Sequence, residues 1–314
     1  FTPEEYWSVE AVLRTERSDS FRARLLQFQG SKLAIADQQA AARINAALQQ
    51  ERYAVKEVKK REQQRRPAPP FITSTLQQEC ARRLRFSVKR TMAVAQQLYE
   101  GVEVEGETRG LITYMRTDSV RLSEEAIVEG REHIASLYGA EYVPEAPNRY
   151  KSKRGAQDAH EAIRPTSVDL YPERIKGLLT ADQARVYELI WKRFVASQMN
   201  PQVLALTQVD IQAGEYLLRA TGSTTTFPGF SLLYSESRDE GEEEENGSVL
   251  PALKSGEGLS LQELVPEQHF TKAPVRYSEA SLVKELEARG IGRPSTYAQI
   301  ITTLQDREYV EKRD

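Results

Sequence analysis

A Pro67-Ala-Pro-Pro70 run separates two kinds of sequence in this chain, and that break limits what the chain can fold into. Proline fixes φ and supplies no backbone donor, so neither a strand nor a helix continues through it. Before the break, Ser8 to Thr15 and Phe21 to Gln29 read as strands. Asp37 caps a helix to about Arg52 with Ala40, Ile44 and Leu48 on one face, and Tyr53 to Arg61 returns as a polar strand. After it, about Ile72 to Asn200 carries helical spacing, and from Val203 to about Phe270 strands return, as in Ala205 to Gln212 and Tyr216 to Thr221. Strands on both sides of a helical insert predict an α+β, multidomain chain: one β-rich domain built from two pieces, 1-71 and 201-272, interrupted by a mainly helical domain, 72-200, with a further segment, 273-314.

Inside the insert, Thr73 or Ser74 is expected to cap a helix carrying Leu76, Cys80 and Leu84, and Ser87 another with Thr91, Met92, Ala95 and Leu98. A glycine-rich acidic loop, Gly101 to Gly110, leads to Leu111 to Arg116, whose β-branched and aromatic residues predict a short strand. Helix, turn, helix, strand is the order of a winged helix, which serves DNA binding and is also a common packing module. Ser123 caps a helix to about Leu137. Thr180-Ala181-Asp182-Gln183 is a capping box opening a helix with a core stripe of Tyr187, Ile190, Trp191 and Phe194. In the last segment Ser278 caps a helix with Leu282, Val283 and Leu286, Gly290 ends it, Pro294 starts another with Tyr297, Ile300 and Leu304, and Tyr309-Val310 begins a strand. This repeats the helix, turn, helix, strand order.

If Leu111 to Arg116 is a strand, Ile112, Tyr114 and Arg116 share one face, with Tyr114 and Arg116 roughly 7 Å apart at Cα. A phenol beside a guanidinium fits a tyrosine packed at a sheet edge. It also fits a nucleophile aimed at a phosphodiester. A phenol ionises near ~10, so an attacking tyrosine needs a cation nearby, and an arginine fork can hold two phosphate oxygens while favouring the phenolate. Asp118 starts a turn or orients that arginine. If Ala159 to Arg164 is helical, His160 and Arg164 share one face, and His160 is either a structural histidine or a proton relay beside the tyrosine. Gly292 to Thr296 sets backbone donors, hydroxyls and Arg293 at a helix start, a place that caps a helix and also suits an anion.

The charge of the chain hides its basic regions. Net charge is −3, but Glu236 to Glu245 holds seven acids and one arginine, a local −6, so the other residues carry +3. The acidic run reads as a disordered surface loop. Basic groups cluster in Lys56 to Arg66 and in Arg82 to Arg90, which has five cations and no acid; such clusters are solvated faces or phosphate contacts. The single cysteine, Cys80, excludes internal disulfides and any cysteine-rich zinc site, and its spacing from Leu76 and Leu84 predicts core packing. No apolar run approaches the ~20 residues of a membrane span. No GxxxxGK[ST] loop points to ATP, and no glutamate with Asp-x-Asp cluster points to Mg²⁺.

Four stretches, in order, carry a resemblance: Phe71 to Gln78 (FITSTLQQ), Gly110 to Ser123 with its core ITYMRTDS, Gln157 to Thr166 (QDAHEAIRPT), and Glu279 to Val310 (EASLVKELEARGIGRPSTYAQIITTLQDREYV). Together they resemble the bacterial type IA DNA topoisomerases over nearly the whole chain. The resemblance implies a gate or arch domain for the β-rich part, a winged-helix-like domain carrying the active-site tyrosine, and the start of a second winged-helix-like DNA-binding domain. It implies Tyr114 as nucleophile, with Arg116 and His160 as catalytic partners at the scissile phosphate. Thr113, Asp118, Arg164, Arg293, Ser295, Thr296 and Arg307 would be DNA contacts.

The reaction expected from that resemblance is ATP-independent: single-strand cleavage, a 5′-phosphotyrosine, strand passage, and religation that relaxes negatively supercoiled DNA. Mg²⁺ would be held in an N-terminal toprim domain, and the chain reads as a central fragment lacking that domain and the C-terminal DNA-binding repeats. None is expected in the fragment itself, which would be inactive or weak alone. Single-stranded and negatively supercoiled DNA are the implied partners of a monomeric, cytoplasmic, nucleoid-associated protein with no membrane contact. Two other classes stay open on the residues: a non-enzymatic single-stranded DNA-binding module, and a tyrosine-recombinase-like strand transferase. The second places its His-x-x-Arg before the tyrosine, whereas His160 and Arg164 follow Tyr114.

Overall fold

The computed structural model describes residues 1–104, 106–152, 160–237 and 249–313. In chain order the elements are β1 (Glu5–Arg14), β2 (Ser20–Phe28), β3 (Ser31–Lys32), α1 (Gln38–Leu48) and β4 (Tyr53–Arg65). Then come α2 (Thr73–Glu79), α3 (Val88–Glu100), β5 (Val102–Val104), β6 (Glu107–Arg109), α4 (Glu124–Leu137), α5 (Pro172–Ile175) and α6 (Ala181–Ser197). The chain continues through β7 (Gln202–Ala213), β8 (Tyr216–Phe227) and β9 (Gly258–Phe270) and ends with α7 (Glu279–Ala288) and α8 (Tyr297–Asp306). These form two compact units. One contains Phe1–Gln64, Val203–Phe227 and the stretch ending at Val275; the other contains Arg65–Gln202, the stretch opening at Pro228 and the chain from Arg276 onward.

The first unit is a sheet in the order β1-β9-β4-β7-β8-β2-β3, and a further β1–β2 pairing closes six of its strands into a ring. Closure removes exposed edges, which otherwise invite pairing with another chain. Period-two patterning drives it: Val9, Ala11 and Leu13 of β1 and Phe21, Ala23 and Leu25 of β2 are buried, while Glu10 is half-buried and Arg14, Arg22 and Arg24 are exposed. The register sets Ala11 opposite Ala23 and Leu13 opposite Phe21, so the inward rows of neighbouring strands coincide. Across the ring, Val209 pairs with Ala220 and Ile211 with Leu218, and all four are buried. Asp37 caps α1, accepting the Ala40 amide at 2.7 Å, and Ala41 and Leu48 join this core.

The second unit is mainly helical and is built around α6, whose Tyr187, Ile190, Trp191 and Phe194 are buried with Leu76, Leu98, Leu111, Ile112 and Met115. Thr180 forms the expected capping box with Gln183, and Ser87, Ser123 and Ser278 cap α3, α4 and α7. Cys80 is buried in the same core, and burial pushes its thiol up to about 12. A π turn, Cys80–Leu84, joins α2 to α3, closing on Arg85 in the left-handed region at φ 57°. Helices α7 and α8 add a smaller cluster in which Val283, Leu286, Tyr297 and Ile301 pack with Val88 of α3. Among the described residues no helix is long and apolar enough to cross a membrane.

Several local expectations are corrected. Gly101 to Gly110 is not a loop: β5 and β6 pair within it, with Glu105 outside the described residues. Leu111 to Arg116 forms no strand; it makes one bridge, Ile112 to Pro165, and Pro165 has no amide with which to extend a ladder. His160 to Arg164 is extended rather than helical, because Ala162 and Ile163 donate across the chain to Arg121 and Phe71 and because a residue before proline disfavours the helical region. His160 and Arg164 therefore share no helical face. Tyr309-Val310 begins no strand; Glu308 at φ 58° and the Tyr309 amide bonded to the Leu304 carbonyl close the end of α8. Of the acidic run, positions 238–245 lie outside the described residues.

Candidate active site

Four sequence stretches meet around Leu111 to Ser119, and each is tied there by an identifiable bond. From the first stretch, the Thr73 hydroxyl lies 2.7 Å from the Met115 carbonyl and 3.0 Å from that of Thr117, and it accepts the Thr117 amide at 2.8 Å. Neither Thr73 nor Ser74, the two expected caps, serves the start of α2: the Thr73 hydroxyl is used here, the Ser74 hydroxyl is buried, and Thr75 serves the helix start by accepting the Ile72 amide at 3.0 Å. From the third stretch, Ile163 donates to the Phe71 carbonyl at 2.8 Å and Thr166 to that of Leu111 at 2.9 Å. Gln157 to Ala159 of that stretch lie outside the described residues.

Thr113 is the centre of a second set. Its amide donates to the Arg164 carbonyl at 2.9 Å, its hydroxyl donates to the Ala162 carbonyl at 2.6 Å, and the Arg164 amide donates back to that hydroxyl at 3.0 Å. These bonds occupy Thr113 fully, so its contribution is to hold the third stretch against the second. The Arg164 guanidinium, 14 % exposed, is paired with Glu161 at 2.8 Å and also donates to the Pro165 carbonyl at 3.0 Å.

Tyr114 stands outward from this framework. Leu111, Ile112 and Met115 around it are buried, whereas Tyr114 keeps 41 % of its surface exposed. Its ring makes edge contacts with two others: Tyr99 of α3 at 5.4 Å between centroids, inclined 67°, and His160 at 5.9 Å, inclined 70°. The structure thus brings Tyr114 and His160 together although no local pattern links them. Arg116, half-buried, donates from Nη1 to the backbone carbonyl of Ser295 at 3.1 Å, which brings the fourth stretch to the same place.

At Ser295 the start of α8 is open to solvent: Arg293, Ser295 and Thr296 are exposed. The Thr296 hydroxyl accepts the Arg293 amide at 2.8 Å, and Arg293 Nη1 donates to the Gly292 carbonyl at 2.7 Å. Arg307 is exposed at the other end of α8. Asp118 lies close enough to Tyr297 for its charge to help burial raise that phenol, with Arg293 opposing. Tyr99 escaped the sequence reading because it falls at the end of a helix whose apolar residues point to the core; its place directly before the hairpin into the tyrosine segment was the available signal.

Among the described residues no three His, Cys, Asp or Glu side chains converge as a metal ion needs, so these residues do not fit a Mg²⁺ site. What the arrangement offers is an accessible phenol beside an imidazole, a guanidinium bonded to the start of a helix, and hydroxyls and backbone donors at that start. Those are groups suited to a phosphodiester.

A family model described as DNA topoisomerase matches residues 1–314. DNA topoisomerase 1 of Rickettsia felis is 48% identical over 316 residues, covering 99% of this chain and 41% of that protein. The corresponding protein of Xylella fastidiosa is 48% identical over 322 residues, covering 99% of this chain and 39% of its own length. Full-length topoisomerase I from Thermotoga maritima superposes with a TM-score of 0.78 at 37% identity, over 100% of this chain and 48% of that one. The chain therefore spans about two fifths of these curated relatives, at 41% and 39% of their lengths. With a match along its whole length and near-half identity to proteins of that name, the chain belongs to the bacterial type IA DNA topoisomerase family.

Proposed function

We propose that this chain supplies the nucleophile and part of the DNA-binding surface of an ATP-independent DNA topoisomerase. The observation that carries the reading is the exposed Tyr114 phenol set against His160, with the neighbouring Arg116 bonded to the Ser295 carbonyl at the start of α8. In the reaction, the Tyr114 oxygen attacks a backbone phosphorus and loses its proton. The bond from phosphorus to the 3′ oxygen breaks, that oxygen leaves as a hydroxyl, and a 5′-phosphotyrosine remains. Religation is the reverse attack by the 3′ hydroxyl. The phosphotyrosine ester conserves the energy of the broken bond, so the cycle needs no nucleotide. Arg116 and His160 hold the phosphate oxygens and favour the charge that develops on them.

Arg293, Ser295, Thr296 and Arg307, all exposed, are the contacts proposed for single-stranded DNA. Asp118 orients groups at that entrance, while Thr113 and Arg164 hold the site together. The helical unit is read as winged-helix-like, with the order α2, α3, β5–β6 in support, and the closed sheet as a gate domain. The proposed Mg²⁺ ligands belong to parts of the relatives that this chain does not span. The 314 residues alone are accordingly expected to bind single strands weakly and to cleave poorly.

The test is a plasmid assay on a protein extended to the length of the relatives. Relaxation of negatively supercoiled DNA without ATP supports the reading. Binding without relaxation or cleavage returns the chain to the class of binding modules.

A further inference from the structure

Tyr114 is placed on irregular backbone, and among the described residues its hydroxyl makes no hydrogen bond, so its ring direction is set by packing. An exposed side chain of this kind otherwise changes rotamer within nanoseconds. Of the two rings against it, His160 already has a proposed part in the chemistry. Tyr99 has none, and it is the one carried by a regular helix. The end of that helix is fastened to the segment it would steady: the Leu98 carbonyl accepts the Leu111 amide at 2.7 Å, and Leu98 is fully buried. The Tyr99 carbonyl lies so close to Gly110 that a Cβ there would sit 2.6 Å from it. Backbone and ring of Tyr99 thus meet the tyrosine segment at two points.

We propose that Tyr99 is a positioning residue for the cleavage reaction, holding the Tyr114 ring in its attacking direction through an edge contact between the two rings. This rests on the reading of Tyr114 as the nucleophile. An edge-to-face pair raises the population of the held rotamer by roughly two- to tenfold, and the attack rate falls in proportion when it is lost. The role belongs to the ring, not to the hydroxyl.

The experiment uses the protein at the length of its relatives and measures two quantities separately: the rate of covalent adduct formation at saturating single-stranded DNA, and the dissociation constant for that DNA. Tyr99→Ala and Tyr99→Leu are expected to slow the adduct about two- to tenfold with affinity within about twofold of wild type and the protein still fully folded at the assay temperature. Tyr99→Phe restores the rate. A wild-type rate in Tyr99→Ala overturns the proposal, as does a Tyr99→Phe as slow as Tyr99→Ala. So does a parallel loss of affinity, which would make Tyr99 a surface on which a base stacks. If wild type itself forms no adduct, the reading of Tyr114 falls first and takes the role of Tyr99 with it.

Discussion

Thr73 and Thr117 are joined by a buried bond, the Thr117 amide donating to the Thr73 hydroxyl at 2.8 Å. That one side chain connects the start of α2 to the backbone just past Tyr114, across 44 positions of sequence. Removing the hydroxyl while keeping the shape, in Thr73→Val, leaves a buried amide and two carbonyls without this partner. The expected cost is about 1–3 kcal/mol, with Thr73→Ser costing less. Denaturant unfolding measures it, and an unchanged midpoint in Thr73→Val would show that the bond contributes nothing.

Gly110 allows the end of α3 and the tyrosine segment to approach closely. In Gly110→Ala the new Cβ would meet the Tyr99 carbonyl at 2.6 Å, so backbone must shift. A destabilisation of about 1–3 kcal/mol is expected. Because the shift moves both Tyr99 and Tyr114, adduct formation is expected to fall at least about tenfold. A variant with the wild-type melting temperature and rate would contradict this account of the junction.

Glu79 is buried and carries the chain after Pro228 into the helical unit. It accepts from the Tyr234 hydroxyl at 2.6 Å and from Arg83 Nε at 2.8 Å, and Ser237 also bonds to it. Arg193 lies over the Phe71 and Tyr234 rings and donates to Glu236 at 2.8 Å. Removing one member of such a cluster leaves the others desolvated. Glu79→Ala is expected to lose about 3–5 kcal/mol, and Tyr234→Phe about 1–3 kcal/mol. Equal and small losses in both would mean that the cluster is not holding this stretch.

His133 gives the helical unit a pH dependence. Burial holds its imidazole below the ordinary value of 6.5, with Asp169 and Glu129 opposing in part. The folded state therefore favours the neutral ring, while the unfolded chain takes up a proton near the ordinary value. Its contribution is fully present above about pH 6.5 and is lost as pH falls from there towards the lower folded value. Stability measured at pH 7.5 and at about pH 5.5 should show this fall, and His133→Phe, which keeps an aromatic ring beside Trp191, should make it shallower. An identical fall in the variant would assign the effect to other groups.

The first strands of the sheet were legible because Val9, Ala11 and Leu13 alternate with less buried neighbours, a pattern that depends on nothing beyond the strand itself, whereas the β1–β2 pairing that closes the sheet depends on partners distant in sequence around the ring. The helix starts at Asp37, Ser87, Ser123, Thr180 and Ser278 were legible for the same reason, since a cap is read within four residues. The site was legible as residue types through a family resemblance, but not as geometry. Leu111 to Arg116 has strand composition, yet its partners are Leu98, Arg164 and Pro165, and no local pattern names them. Thr73 looks like a cap and is used at long range, and the edge contact of Tyr99 with Tyr114 depends on where a helix ends relative to a hairpin.

Tyr114 is expected to become joined to a 5′ phosphate, which end-labelled single strands reveal. The protein at the length of its relatives is incubated with Mg²⁺ and a 3′-labelled strand, stopped with denaturant, and compared with Tyr114→Phe. Label is expected to travel with the wild-type protein and not with the variant. Label carried by the variant would remove Tyr114 as the nucleophile, and attachment of a 5′-labelled strand instead would reverse the linkage and contradict the mechanism.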